Sequence, residues 1–322
     1  MFELSVVICA HNSRPEYLYR TLDALRNQAL PKERWELLLI DNASQSPLAE
    51  AWDLSWHPYG KHILESELGL SAARLRGMKE STSDLLVFVD DDNVLDHDYL
   101  EKALTIKCDW PLLGAWGSGS IVPEFERQPP EHLNKFISYL ALRNNKEPLW
   151  SNVVTCTEAL PVGAGLCVRA NVATAYCRLF EQSTLRIQGR KGKSLGGHED
   201  YEICFVACKI GYGRGVFPEL KLTHLIPKER VSDSYFVRLL EETHLSGLVL
   251  AYKWQGILPT SPFSVRGILS IIKSLIIRRG FDRRVYFANL RATLKARRML
   301  NELRRESLHA NDTPERALTP IS

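Results

Sequence analysis

Three consecutive aspartates, Asp90, Asp91 and Asp92, are the side chains in this sequence whose type and spacing point most directly to chemistry. They follow the apolar run of residues 85–89, which has the composition of a buried strand. Adjacent carboxylates repel one another unless a cation lies among them, and Mg²⁺ or Mn²⁺ prefers such oxygen ligands. The triplet therefore predicts a metal site for a phosphate-bearing substrate, with a solvated acidic turn as the alternative.

Two further acidic positions occur where an ordered element begins or ends. Asp41, next to Asn42, ends the apolar run of residues 35–40, where it could accept hydrogen bonds from a ribose or a base, or simply form a turn. Glu199 and Asp200 follow two glycines and a histidine and open a predicted helix. A carboxylate there could act as a general base, or could be favoured only by the helix dipole.

His224 is a third candidate, at the end of a short predicted strand. A single histidine is more often structural, but as a metal ligand it would complement the aspartate triplet. The sequence has no GxGxxG or GxxxxGK[ST] motif, which argues against dinucleotide and P-loop phosphate binding. A phosphate would need other partners, such as the metal and Arg74.

The elements that must position these residues alternate in type over the first hundred residues. Short apolar runs alternate with segments of helical spacing, which predicts a parallel, doubly wound α/β sheet. In such sheets ligands bind at the carboxyl ends of the strands, where the polar residues fall. The predicted strands are 4–10, 35–40, 85–89, 112–122 and 221–224, with strand-like runs in 152–168, and the predicted helices are 15–28, 71–80, 98–106, 129–143, 201–210, 264–279 and 283–305.

The order of short motifs over residues 4–230 resembles the family 2 glycosyltransferases with a GT-A fold. The motifs are His-Asn and Asp-Asn after strands, Ala-Arg, Asp-Asp-Asp, Gly-Ala-Gly, Gly-His-Glu-Asp and Thr-His. The resemblance implies a mainly parallel, Rossmann-like sheet flanked by helices. It also implies an inverting enzyme that uses a nucleoside-diphosphate sugar, with UDP the first expectation, and Mn²⁺ or Mg²⁺.

The resemblance also assigns roles to particular residues. Asp200 would be the catalytic base, and Asp92 and His224 would be the metal ligands. The acceptor would be held near Glu199, Gly163, Ala164 and Gly165. The nucleotide sugar would be bound by Ala10, His11, Asn12, Glu16, Asp41, Arg74, Asp90 and Asp91.

Some features depart from the family pattern. Leu75 replaces the usual Asn after Arg74, and Leu68 stands where an Asn often precedes the glycine. The QxxRW motif of processive members is missing after Asp200, so a processive polysaccharide synthase is not expected. A nucleotidyltransferase would carry a glycine-rich signature after the first strand, which this sequence lacks. That class and a non-catalytic binding module remain the alternatives to a transferase of bacterial surface polysaccharide or glycolipid assembly.

Charge is distributed unevenly along the 322 residues. The net charge is +3, yet residues 266–305 contain twelve Lys or Arg and only two Asp or Glu. We expect a GT-A domain over 1–260 and a basic helical extension with a polar tail over 261–322. The extension would either pack on the core or contact an anionic membrane surface, and nucleic acid is not expected because no binding motif accompanies the charge. The acceptor is expected to be a saccharide or a lipid-linked saccharide.

Seven scattered cysteines without a CxxC pair predict reduced thiols. The N-terminal residues have no basic segment followed by a long apolar run, so a signal peptide is not expected. These features predict a cytoplasmic protein, with the inner face of the plasma membrane as a peripheral location.

Overall fold

The computed structural model describes residues 2–309, so the predicted polar tail with Pro314 and Pro320 lies outside the described residues. A ten-stranded sheet runs through the first part of the chain and confirms the α/β prediction. The strands are β1 Leu4–Ala10, β2 Trp35–Asn42, β3 Gly60–Glu65, β4 Leu85–Asp90, β5 Asn93–Leu95, β6 Leu113–Phe125, β7 Arg143–Asn144, β8 Leu149–Ser151, β9 Leu166–Arg169 and β10 Gly213–Ile226.

One half of the sheet is parallel. Strands β3, β2, β1 and β4 lie side by side in that order, and every pair among them is parallel. The register pairs Ala10 with Asp41 and Cys9 with Asp90, so these strands end together at one edge of the sheet. Buried apolar side chains line β1, β2 and β4, as parallel strands covered on both faces require.

The other half of the sheet is mixed. Strand β9 is antiparallel to both β4 and β6, while β10 is parallel to β6. The short strand β5 follows the aspartate triplet directly and pairs antiparallel with β10 at the far side of the sheet. The sequence patterns do not predict β3 or β5, because neither strand is a continuous apolar run.

Helices connect and flank the strands. The stretch predicted as a helix over 129–143 is a 3-10 helix, Glu131–Leu140, which ends where Ala141 adopts a left-handed conformation with φ 62°. Further 3-10 turns are Lys32–Arg34 and Lys228–Val231. The α-helices are α1 Pro15–Arg26, α2 Leu48–Ala51, α3 Leu70–Glu80, α4 Tyr99–Asp109, α5 Ala170–Gln182, α6 Glu199–Lys209, α7 Asp233–Gln255, α8 Val265–Ile277 and α9 Gly280–His309.

The chain divides into two compact units between Phe236 and Val237, inside α7. The second unit contains α8 and α9, which confirms the two helices predicted over 264–279 and 283–305. The side chains buried along α9 recur at helical spacing and are Val285, Ala288, Ala292, Ala296 and Leu300. Within residues 2–309, no helix combines the length and the apolar character needed to cross a membrane. The domain limit at residue 260 remains a prediction.

Candidate active site

The aspartate triplet is divided among three environments. Asp90 is about one-third exposed and lies 3.5 Å from the guanidinium of Arg74. The carboxylate of Asp91 accepts a hydrogen bond from the hydroxyl of Ser13 in the loop after β1. Burial, together with the neighbouring Asp92, raises the pKa of Asp91 to about 7. Asp92 is buried at the turn into β5, so the three carboxylates do not share one site.

Asp92 and His224 are brought together by the pairing of β5 with β10. The ladder sets Asn93 opposite His224, and the carbonyl of Asp92 accepts a hydrogen bond of 2.9 Å from the backbone N–H of Leu225. His224 Nε2 then lies 3.5 Å from Asp92 Oδ2. The other ring nitrogen, Nδ1, lies 3.0 Å from the carbonyl of Leu140. Because a carbonyl can only accept, this contact places a proton on Nδ1, and Nε2 is the ring nitrogen that faces Asp92.

Arg230 is a site residue that the sequence patterns do not indicate. It belongs to the 3-10 turn Lys228–Val231, and its Nη1 donates a 2.9 Å hydrogen bond to Asp92 Oδ2. The same nitrogen lies 3.3 Å from His224 Nε2. Burial alone would raise the pKa of Asp92, but His224 and Arg230 hold it well below its usual range. Asp92 is therefore an ionised carboxylate already satisfied by a cation from the protein.

A second cluster is centred on Arg74, which projects from α3 and is almost fully buried. Its Nη1 donates a 2.7 Å hydrogen bond to Glu199 Oε1, while its Nη2 lies 3.5 Å from Asp90. Burial raises the pKa of Glu199 to about 7, although the neighbouring Arg74 opposes this shift. The second oxygen of Glu199 is buried without a hydrogen-bond partner. One guanidinium thus joins the end of β4 to the start of α6.

Asp200 is partly exposed, unlike Glu199 beside it. Its Oδ2 accepts a 2.8 Å hydrogen bond from the backbone N–H of Gly163, and its Oδ1 accepts one of the same length from Tyr201. These two donors fix the carboxylate while leaving lone pairs for another partner. Asp200 is therefore an oriented and accessible carboxylate.

The Gly163-Ala164-Gly165 segment is buried and packs tightly. A side chain at Gly163 would meet Nη2 of Arg74 at 2.2 Å. Gly165 has a φ of +71°, and its carbonyl accepts a 2.6 Å hydrogen bond from the hydroxyl of Tyr99. The segment therefore confines Arg74 and positions Asp200, and its contact with an acceptor remains a prediction.

The loops after β1 and β2 fold together by hydrogen bonds. Asp41 Oδ1 and Oδ2 accept from the backbone N–H groups of Ser44 and Leu48 at 3.1 and 2.9 Å, so the turn-forming role is observed. His11 Nδ1 lies 2.7 Å from the carbonyl of Asn42. Asn12 adopts a left-handed conformation with φ 47°.

The predicted base-binding residues differ in exposure. Ala10 is buried in the core, which leaves only its backbone for a ligand. His11, Asn12 and Glu16 are exposed. The predicted contacts of these residues and of Asp41 with a nucleotide remain predictions.

The loop that precedes α6 folds against the start of α3. The N–H of Leu70 donates to the carbonyl of Arg190 at 2.8 Å, and the N–H of Gly189 donates to the hydroxyl of Ser71 at 2.8 Å. Arg190 lies near enough to help lower the pKa of Asp92. Its sequence signal is weak, because a basic residue in a polar loop is usually solvated.

Asp92 and His224 form a pair that could bind a divalent cation. Among residues 2–309, no group of three or more His, Cys, Asp or Glu side chains is placed to hold a metal ion. Mg²⁺ and Mn²⁺ are often held by one or two protein ligands and complete their coordination with phosphate and water. A carboxylate oxygen and an imidazole nitrogen that lie 3.5 Å apart fit this mode, provided that Arg230 moves aside. All seven cysteines are free thiols in the structure.

Part of this chain is similar in sequence to known proteins. The sequence pattern described as "Glycosyl transferase family 2" matches residues 5–160, which contain β1, the triplet and Arg74. The match covers a little under half of the chain, which is similar to this family over those residues. The match ends before Gly163, so the second half of the candidate site lies beyond it.

Two curated proteins are similar over part of this chain. Glycosyltransferase AglE of Haloferax volcanii is 29% identical over 105 residues, which is 32% of this chain and 34% of AglE. Putative glycosyltransferase EpsH of Bacillus subtilis is 24% identical over 147 residues, 41% of this chain and 42% of EpsH. The chain therefore spans well under half the length of these relatives.

A solved structure is similar over nearly the whole chain. The mannosyltransferase PcManGT of Pyrobaculum calidifontis, solved with GDP-Man and Mn²⁺, superposes with a TM-score of 0.54 at 17% identity. The match covers 97% of this chain and 76% of the mannosyltransferase. The likeness shows a shared fold and confirms the predicted GT-A architecture of this protein.

Proposed function

We propose that this protein is an inverting glycosyltransferase that moves a sugar from a nucleoside-diphosphate sugar to an acceptor hydroxyl. Asp92 and His224 would hold a divalent cation, and Asp200 would act as the general base. The observation that supports this most directly is the bridge made by Arg74, which contacts both Asp90 and Glu199. It ties the carboxylates at the end of β4 to the start of α6, where a donor and an acceptor would have to meet.

The donor side of the site is negatively charged and would need compensation to bind a diphosphate. When bound, a divalent cation would supply positive charge that stabilises the departing nucleoside diphosphate. Asp92 and His224 would hold that cation. Arg230 would leave Asp92 and could then contact a phosphate oxygen, since a guanidinium binds phosphate well.

The acceptor side would centre on Asp200. In an inverting transfer, the acceptor hydroxyl attacks the anomeric carbon from the face opposite the leaving diphosphate. Its proton passes to a nearby carboxylate, a role that the partly exposed Asp200 would fill. The N–H groups of Gly163 and Tyr201 would hold that carboxylate in place, and no covalent glycosyl-enzyme would form.

Glu199 would assist in a different way. It is buried against Arg74 and has one oxygen without a hydrogen-bond partner. That oxygen could accept a hydrogen bond from an acceptor hydroxyl only after the segment that covers it moves. Because the pKa of Glu199 is raised to about 7, the side chain would be either donor or acceptor near neutral pH.

The identity of the donor and acceptor is a further part of the proposal. We propose UDP as the nucleotide, while the solved mannosyltransferase was bound to GDP-Man, so both belong in the first test. The acceptor would be a saccharide or a lipid-linked saccharide of bacterial surface polysaccharide or glycolipid assembly.

A nucleotide screen would test the proposal. The protein would be incubated with UDP-, GDP-, CDP- and dTDP-sugars, with and without Mn²⁺, and the released nucleotides separated. Release of a nucleoside diphosphate that needs Mn²⁺ and Asp200 supports transfer. In a parallel incubation with a sugar phosphate and a nucleoside triphosphate, release of pyrophosphate would instead indicate a nucleotidyltransferase. Binding of a nucleotide sugar with no turnover on any offered acceptor would favour a non-catalytic module.

A further inference from the structure

Helix α8 exposes its large apolar side chains and buries small ones. Seven aliphatic residues of this 13-residue helix are 45–77% exposed. The buried position is instead Ser274, at 5% exposure, with Gly267 and Ile271 half-buried on the same face. Ser270, beside Ser274, lies 3.2 Å from the hydroxyl of Tyr286 on α9. The exposed residues are Val265, Ile268, Leu269, Ile272, Leu275, Ile276 and Ile277.

The exposed aliphatic residues form one continuous face. At about 100° per residue, six of the seven fall within an arc of roughly 120°, opposite Ser274. Arg266 and Lys273 lie along one border of that arc, and both are exposed. Exposed apolar faces of this size mark surfaces that bind a partner. A helix with an apolar face bordered by basic side chains is suited to the interface between water and lipid.

The charge around α8 identifies the kind of partner. Arg278 and Arg279 follow the helix and are exposed, and residues 266–305 contain twelve Lys or Arg against two Asp or Glu. A second copy of the chain would bring like charges together around the apolar face. An anionic lipid surface would instead attract those charges and cover the aliphatic side chains.

The length of α8 determines how it would meet a bilayer. Thirteen residues span about 20 Å, which is shorter than the roughly 30 Å hydrocarbon core. The helix would therefore lie in the plane of the interface rather than cross it. We propose that α8 docks this protein on anionic lipid bilayers, with Leu269, Ile272 and Ile276 inserted among the acyl chains. This proposal does not depend on the reaction that the protein catalyses.

Vesicle binding by the full chain tests this proposal. The triple variant L269E/I272E/I276E is compared with the parent protein by flotation with vesicles of equal parts phosphatidylcholine and phosphatidylglycerol. We expect the variant to lose at least about tenfold in lipid partitioning, because charged side chains are costly in the acyl region. The matched control, L64E/L112E/V122E, changes three residues that are 54–75% exposed elsewhere and should bind as the parent does.

Three further measurements complete the test. Parent binding should weaken with added salt and on vesicles of phosphatidylcholine alone, because the basic residues contribute electrostatically. Equal flotation of the parent and the α8 variant would overturn the proposal, as would a parent protein that does not float at all. Sedimentation without lipid must show the same mass for both proteins. A dimer that only the α8 variant loses would assign the face to a second copy and overturn the lipid assignment.

Discussion

Arg74 and Arg230 each neutralise a carboxylate of the candidate site, but the protein holds the two guanidiniums in different ways. The Arg74 side chain is 3% exposed and stands over the ring of Phe88 at 5.7 Å. The Arg230 side chain is 23% exposed and belongs to a turn of four residues. Arg74 is thus enclosed by the fold. Arg230 belongs instead to a short segment, whose movement could separate it from Asp92.

The pKa values of the two carboxylates, Glu199 and Asp92, are shifted in opposite directions. The pKa of Glu199 beside Arg74 is raised by burial, while His224 and Arg230 hold the pKa of Asp92 below its usual range. Arg74 is shared between Glu199 and Asp90, so neither receives its full charge. We infer that the Arg74 cluster is a fixed part of the scaffold and that Arg230 is a cation that a metal can replace.

The largest expected effect comes from Asp200, next to the fixed cluster. Asp200→Asn keeps the shape but replaces one carboxylate oxygen with an amide NH2, so it removes the basic group and retains only one of the hydrogen bonds from Gly163 and Tyr201. We expect turnover to fall about 10²- to 10⁴-fold, the range over which general bases contribute. Donor affinity, measured by calorimetry, should stay within a few-fold of the parent. Unchanged turnover in a folded variant would remove Asp200 from the base role.

Arg74→Met tests whether the Arg74 cluster is part of the scaffold. The substitution leaves Glu199 and Asp90 without their shared cation, and breaking a buried pair in this way costs about 3–5 kcal/mol of stability. The free energy of unfolding in urea measures the loss. Arg230→Met, at the partly exposed position, should cost less than half as much. Equal losses in the two variants would end the distinction between a fixed and a replaceable arginine.

Gly163→Ala perturbs the Arg74 cluster through the segment that precedes β9. The added methyl group would lie 2.2 Å from Nη2 of Arg74, so the guanidinium or the loop must shift. We expect a loss of about 1–3 kcal/mol of unfolding free energy, as for other overpacked sites. Gly196→Ala serves as the control, because the nearest atom there is 3.4 Å away. A Gly163→Ala variant as stable as the control would show that Arg74 is not confined.

Arg230→Met tests the replaceable arginine through metal binding rather than activity. Removing a guanidinium that is hydrogen-bonded to Asp92 should let Mn²⁺ bind about tenfold more tightly, since such charged bonds contribute about 1.5–3 kcal/mol. Electron paramagnetic resonance of free Mn²⁺, without nucleotide, gives the affinity. Arg20→Met, which breaks an exposed pair with Glu124, should leave it unchanged. Weaker Mn²⁺ binding in Arg230→Met would mean that Arg230 supports the ligands instead of competing with the metal.

The pH dependence of stability tests the raised pKa of Glu199 in the Arg74 cluster. Glu199 has a pKa of about 7 in the folded protein and about 4.5 when unfolded, so the folded state binds its proton more tightly. Its contribution is therefore present below pH 4.5 and is lost as the pH rises through 7. Urea unfolding across this window should show a falling stability that is less steep in Glu199→Gln. Part of the slope should remain, because the pKa of Asp91 is raised in the same direction.

The sequence predicted the strand-end residues well. The apolar runs before Asp41 and Asp90 are long enough to identify buried strands, and parallel pairing then places their ends at one edge. The helices around α1, α3 and α4 followed from apolar spacing in the same way. These predictions succeed because each depends on residues that are close in the chain.

The contacts that complete the site depend on distant segments and were not predictable in this way. Arg230 meets Asp92 across 138 residues, and Arg74 meets Glu199 across 125. The first contact requires the short strand β5 to cross to β10, and three residues carry too little pattern to show that. The sequence did indicate Arg74, because an arginine among small residues stands out on a helix face that packs against β1 and β2.

Helix α7 has a practical consequence for anyone who wishes to cut or recombine this protein. The helix runs from Asp233 to Gln255, so the division between Phe236 and Val237 falls after its first turn. A fragment that ended there would retain a stub too short to hold helical structure in water. Chimeras with related enzymes should therefore exchange segments beyond Gln255, where the next residue, Gly256, has a φ of +67° and ends the helix.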